Sequence, residues 1–95
     1  LVAMDFRIPA DHPSLPGHFP GRPVVPGVVL LERVLDAIEA EGAQAGALRL
    51  PQVKFLRPLL PEESARIELQ TLEQYWRFRI FRGEELIASG EVAAA

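Results

Sequence analysis

The stretch GHFPGRPVVPGVVLLERVLDAIEAEG, residues 17–42, joins two segments of opposite mechanical character. Its first part belongs to a longer segment beginning at Ala10, in which Pro13, Pro16, Pro20, Pro23 and Pro26 alternate with Gly17, Gly21 and Gly27. Proline fixes φ and removes a backbone donor, so this density excludes a helix or a central strand and predicts a stiff, shaped loop. From Val28 onward the pattern becomes helical: Leu31, Val34, Leu35 and Ile38 share one face, Glu32, Asp36 and Glu39 another, and Gly42 ends the run. Val28 and Val29 lie one turn earlier, on the side of Glu32. The helix start is thus apolar on every face, which predicts a buried helix end.

On the N-terminal side, Val2, Met4, Phe6 and Ile8 alternate with Leu1, Ala3, Asp5 and Arg7, the two-residue period of a strand with one covered face. On the C-terminal side GAQAG is a loop, and ALRLPQVKFLRPLLPEE reads as a bent or edge strand, interrupted at Pro51 and closed at Pro58 or Pro61. ARIELQTL, QYWRFRIFR and ELIASGEVA follow as three more alternating strands, the last after the turn Arg82-Gly83-Glu84. One helix and about five strands, mostly in hairpin order, predict an α+β fold with an antiparallel sheet around or against that helix.

The chain has 95 residues, which predicts a single domain over 1–95, close to the size at which a lone core is marginal and self-association gains stability. A net charge of −3 argues against nucleic acid as the partner. Cysteine is absent and there are only two histidines, so neither a disulfide framework nor a structural metal site is expected, consistent with a reducing cytoplasm. Apolar runs are too short for a bilayer, and the opening LVAMDFRIP has no secretory pattern. The start at Leu1 instead of methionine points to a short leader that was removed or not included.

Between Gly17 and Glu32, His18 and Glu32 are the only side chains able to exchange protons near neutral pH. A proline-stiffened loop holding His18 near the helix start would bring three things together. Backbone N–H groups of Gly27 and Val28 could stabilise negative charge on a substrate carbonyl, Val28, Val29 and Leu30 keep the surroundings dry, and a neutral imidazole accepts a proton activated by that carbonyl. A glutamate one turn into the helix, in apolar surroundings, would keep its proton and could deliver it to a leaving group. Those parts suit elimination of water from a 3-hydroxy carbonyl compound, or its reversal. Other features have plainer readings. His12 and Asp11 serve a loop, Trp76, Phe78 and Ile80 are core, and Arg77, Arg79 and Arg82 form a wet strand face that, with Arg22 and Arg33, could attract an acidic protein.

GHFPGRPVVPGVVLLE resembles the signature of the 3-hydroxyacyl-acyl carrier protein dehydratases, a hotdog-fold family, in which His-Phe-Pro-Gly is followed by Pro-Gly-Val and an acidic residue. The interval of 14 residues from His18 to Glu32 matches the family's catalytic pair, and VKFLRPLLPEE looks like its strand entering a proline turn. The resemblance implies a hotdog sheet wrapped around one central helix. It implies His18 as base at C2, Glu32 as acid at the C3 hydroxyl, Gly27 and Val28 as the carbonyl site, and the Val24 carbonyl as the group orienting the imidazole. It further implies an acyl carrier protein or coenzyme A thioester as substrate and no cofactor or metal. The site would form across a homodimer, alone or within a larger oligomer, with His18 of one subunit meeting Glu32 of the other. Asp36 stands where the family's housekeeping members often carry glutamine, and the chain is shorter than theirs. Both suggest a specialised relative serving a secondary acyl or polyene pathway. A hotdog thioesterase and a non-catalytic acyl-binding or partner subunit are the alternatives.

Overall fold

The computed structural model describes residues 2–13, 15, 24–42 and 48–94. Its elements are β1 (Val2–Arg7), α1 (Gly27–Ala40), β2 (Leu48–Phe55), β3 (Ser64–Thr71), β4 (Tyr75–Arg82) and β5 (Glu85–Ala94). Half of the proline-rich segment, His18 included, and most of GAQAG lie outside the described residues.

All strand pairs are antiparallel, in the order β1-β3-β4-β5-β2. β3, β4 and β5 are sequential hairpins, as their alternation predicts. Gly83, at φ 60°, supplies the left-handed residue of the β4–β5 turn. β1 and β2 instead take the two outer edges, so the chain crosses from one edge of the sheet to the other by way of α1. β2 has the irregularity expected at Pro51: its register with β5 shifts between Arg49 and Gln52. Pro51 has no N–H to give a ladder, and an edge strand tolerates that loss.

Alternation decides what the sheet buries. Ile67 and Leu69 of β3 with Phe78 and Ile80 of β4 are at most 1% exposed and pack with Val29, Leu30, Val34, Ala37 and Ile38 of α1. Each of these valine, leucine, isoleucine and phenylalanine side chains contributes roughly 1.5–3 kcal/mol on removal from water. The helix stripe is rotated from the one read in the sequence: Val34 and Ile38 are buried as expected, but Leu31 and Leu35 only half, and Val29, Leu30 and Ala37 take their place. Both stripes are apolar, so periodicity alone has no means of choosing. The small side chain of Ala37 lies on the stripe turned inward, where it lets helix and sheet approach closely.

The expectation that the helix start is covered on all sides fails within one chain. Val28 is 60% exposed, and Glu32, one turn further along the same side, is exposed as well. One sheet covers one side of a helix, and these two residues point away from it.

On the opposite face of the sheet, Arg79 pairs with Glu68 at 3.0 Å and Arg77 with Glu91 at 3.6 Å. Arg66 and Arg79 lie over the Phe81 ring at 5.1 and 5.5 Å from its centroid. This is the wet arginine face expected for Arg77 and Arg79; exposed pairs of this kind are worth at most about 1 kcal/mol each.

Candidate active site

α1 begins after Pro26, whose φ of −61° and ψ of 146° hold the chain extended up to the helix. The Pro26 carbonyl accepts the Val29 and Leu30 amides at 3.0 and 3.4 Å. Gly27 and Val28 come before the first carbonyl their amides could reach within the helix, so those N–H groups lie at its positive end. Among the described residues, no side chain caps the start and no carboxylate occupies its first turn.

A cavity of about 390 Å³ opens at this helix end. Val24, Pro26, Gly27 and Leu30 line one side; Phe55, Leu56, Pro58 and Leu59, at the end of β2 and beyond it, line the other. The two sides are tied together by the Val25 N–H, which donates to the Leu59 carbonyl at 2.8 Å. Arg57 is the one charged residue among the described residues lining the cavity, and it faces Glu85 at 3.6 Å. The walls are otherwise aliphatic or aromatic, a surface suited to an apolar ligand.

Close approach explains the glycine. A Cβ on Gly27 would stand 2.7 Å from the Cζ of Phe55, so the ring rests directly on the helix start. Phe55 was not singled out from the sequence. Its signal was present, however: once the chain is allowed to slip at Pro51, Val53 and Phe55 alternate toward the helix.

The residues expected to form the site are thus partly assembled. Val24 and Gly27 line the cavity; Val28 is adjacent to it and exposed; His18 lies outside the described residues. Glu32 is not among the lining residues. At 3.6 residues per turn it is rotated about 140° from Gly27, and it is exposed beside Val28. The apolar surroundings expected around its carboxyl are therefore missing in a single chain, because the sheet that would supply them covers the opposite side of α1.

Arg82, read from sequence with the wet arginines, behaves differently. It is held by Glu85, Glu63 and the Pro58 carbonyl at the back of the cavity wall. Its guanidinium is pushed above the ordinary value, first by the hydrogen bond to Glu85 and then by Glu63, against some desolvation. Pairing at the end of a strand, not alternation along it, sets this role.

Comparison with known proteins follows the same lines. The family model described as ApeI-like, ApeI dehydratase, matches residues 1–91. The 3-hydroxyacyl-[acyl-carrier-protein] dehydratase FabZ of Desulforamulus reducens is 35% identical over 102 residues, covering 94% of this chain and 72% of its own length. That of Granulibacter bethesdensis is 34% identical over 86 residues, and the chain spans only 51% of its length. Among solved structures, the dehydratase heterocomplex ApeI:P from Xenorhabdus doucetiae superposes with a TM-score of 0.74 at 22% identity, covering 96% of this chain and 83% of that one. At this identity the likeness speaks for the fold, which is the hotdog arrangement of one helix against a five-stranded antiparallel sheet. The family match over residues 1–91 includes both segments that build the cavity, the helix start and the proline turn after β2, and by it the chain belongs to the ApeI-like dehydratase family.

Proposed function

We propose that this protein removes water, reversibly, from a 3-hydroxyacyl thioester, giving the trans-2-enoyl thioester. The observation that carries the reading is an apolar cavity at the start of a helix whose glycine admits close approach, in a chain of a dehydratase family. The thioester carbonyl accepts hydrogen bonds from the Gly27 and Val28 amides, which acidifies the C2 proton. His18, oriented by the Val24 carbonyl, takes that proton; the C2–H electron pair becomes the C2–C3 double bond. The C3–O bond breaks as Glu32 gives its proton to the departing hydroxyl, and water leaves.

Glu32 points away from the cavity of its own chain, and Val28 beside it is exposed. Both fit a site completed by a second chain, a further copy of this one, in which Glu32 of one copy serves the cavity of the other. Burial against that copy would also give the Glu32 carboxyl the dry surroundings that keep a proton on it. The dehydratase relatives are named for acyl-carrier-protein thioesters, which supports an acyl carrier protein as the thioester's carrier here, and the cytoplasm is the matching compartment.

The test is to incubate the purified protein with 3-hydroxyacyl thioesters of carrier protein and of coenzyme A and to read the products by mass. Loss of one water, abolished in His18→Ala, is the expected result. Release of free thiol without an alkene would assign a thioesterase instead. Binding without turnover until a paralogous chain is added would assign a partner subunit of a dehydratase heterocomplex, the kind of assembly that ApeI:P is.

A further inference from the structure

Arg82 closes β4, and its side chain is only 29% exposed. Its Nη1 donates to the Pro58 carbonyl at 2.8 Å and to Oε1 of Glu63 at 3.1 Å, while its Nη2 donates to Glu85. Glu63 Oε1 also accepts the Leu60 amide at 2.8 Å. A single guanidinium thus grips the turn after β2 at two points, one main chain and one side chain, and fastens both to the β4–β5 hairpin.

That turn is the cavity wall. Pro58 and Leu59 line it, and the Leu59 carbonyl receives the Val25 N–H at 2.8 Å, two residues before Gly27. An unbroken route of short polar contacts therefore runs from the hairpin, through the wall, to the start of α1. Partly exposed ion pairs of this kind contribute only modestly to stability. What a planar, multiply bonded guanidinium supplies is fixed geometry, which a lysine's point charge does not reproduce.

We infer that Arg82 is a positioning residue for the site: through Pro58 and Leu59 it sets where the helix start, and with it the carbonyl-binding amides, stand relative to the cavity wall. The inference rests on reading the cavity as the place of reaction, and it extends that reading to a residue that does not touch substrate.

The experiment uses the full chain with Arg82→Ala, Arg82→Lys and Glu63→Gln, and two readouts. The first is amide hydrogen exchange at Val25, compared with Ile67 and Phe78 in the sheet. In Arg82→Ala, exchange at Val25 should quicken by about tenfold or more relative to the sheet amides, since a local opening is released without global unfolding. The second is turnover of the 3-hydroxyacyl thioester. Here kcat should fall roughly 10- to 100-fold with KM changed less than about threefold, the pattern of a displaced reacting centre with intact acyl binding. Arg82→Lys should recover part of kcat, and Glu63→Gln should fall between Arg82→Ala and the parent in both readouts. Unchanged relative exchange at Val25, or a kcat that stays level while only the melting temperature drops, would overturn the inference. Should the parent protein eliminate no water, the function proposed above fails, while the exchange measurement still decides whether Arg82 holds the helix start.

Discussion

The Phe55 ring rests on Gly27, close enough that a Cβ at position 27 would come within 2.7 Å of its Cζ. One aromatic side chain thereby sets the clearance over the helix end on which the proposed carbonyl site depends. Phe55 is 51% exposed, so its ring has room to swing away from an added methyl. Gly27→Ala is expected to fold with a stability within about 0.5 kcal/mol of the parent, while kcat/KM drops by roughly 10- to 100-fold because the methyl and the displaced ring occupy the approach to the amides. Thermal melts run beside turnover assays check this; a large fall in melting temperature would mean that the contact is structural instead.

Glu32 is exposed in the single chain, so its replacement should leave folding of that chain nearly untouched. Glu32→Gln is expected to lower kcat by about 10²- to 10⁴-fold through loss of the acid. A mixing experiment then probes where the acid acts. If His18 and Glu32 meet across two copies, co-refolding inactive His18→Ala with inactive Glu32→Gln in equal amounts should restore about one quarter of the sites. A mixture as dead as its components would return both groups to the same chain.

Glu62 occupies a left-handed conformation, φ 70°, on the turn between β2 and β3. Its amide donates to the Ile8 carbonyl at 2.8 Å and its Oε1 accepts the Ala10 amide at 2.9 Å, tying the end of β1 and the beginning of the proline-rich loop to that turn. Glu62→Ala keeps the unfavourable backbone and loses the side-chain bond; Glu62→Gly loses the bond but relieves the backbone. Urea unfolding should therefore rank the parent at or above Glu62→Gly, with Glu62→Ala lower than Glu62→Gly by about 1 kcal/mol. The reverse order would show that the side-chain bond contributes nothing and that the backbone is unstrained.

Gly90 differs from Gly27 in what surrounds it. A Cβ there would meet the Gln52 carbonyl oxygen at 2.5 Å and the Phe78 ring at 2.8 Å, and Phe78 is fully buried. A main-chain oxygen of β2 cannot swing aside, so Gly90→Ala should destabilise by about 1–3 kcal/mol and weaken the β5–β2 pairing first. Faster exchange of β2 amides than of β3 amides in this variant is the expected signature; equal change in both strands would contradict it.

Much of the architecture was legible because it depends on short-range patterns. The alternation Ile67/Leu69 and Trp76/Phe78/Ile80, the proline at 51 and the Pro26-Gly27 junction each carry their own physical instruction, and the strands and helix stand where those instructions put them. The stripe by which α1 packs was not legible, since Leu31 and Leu35 are as apolar as Val29 and Leu30. Arg82 was misread for a related reason. Three arginines along one strand look alike in sequence, yet only the one at its end, facing Pro58 and Glu63, finds partners from a turn about twenty residues away.

By itself, then, the order of residues determined the elements, the position of the loop-to-helix junction and the chemical character of His18 and Glu32, because periodicity, proline and glycine act within a few bonds. Only the tertiary structure decided that β1 and β2 take opposite edges, that Phe55 settles on Gly27, and that Glu32 faces away from the cavity of its own chain. Those outcomes depend on which surfaces meet through space, and one sheet laid against one helix leaves the other side of that helix uncovered.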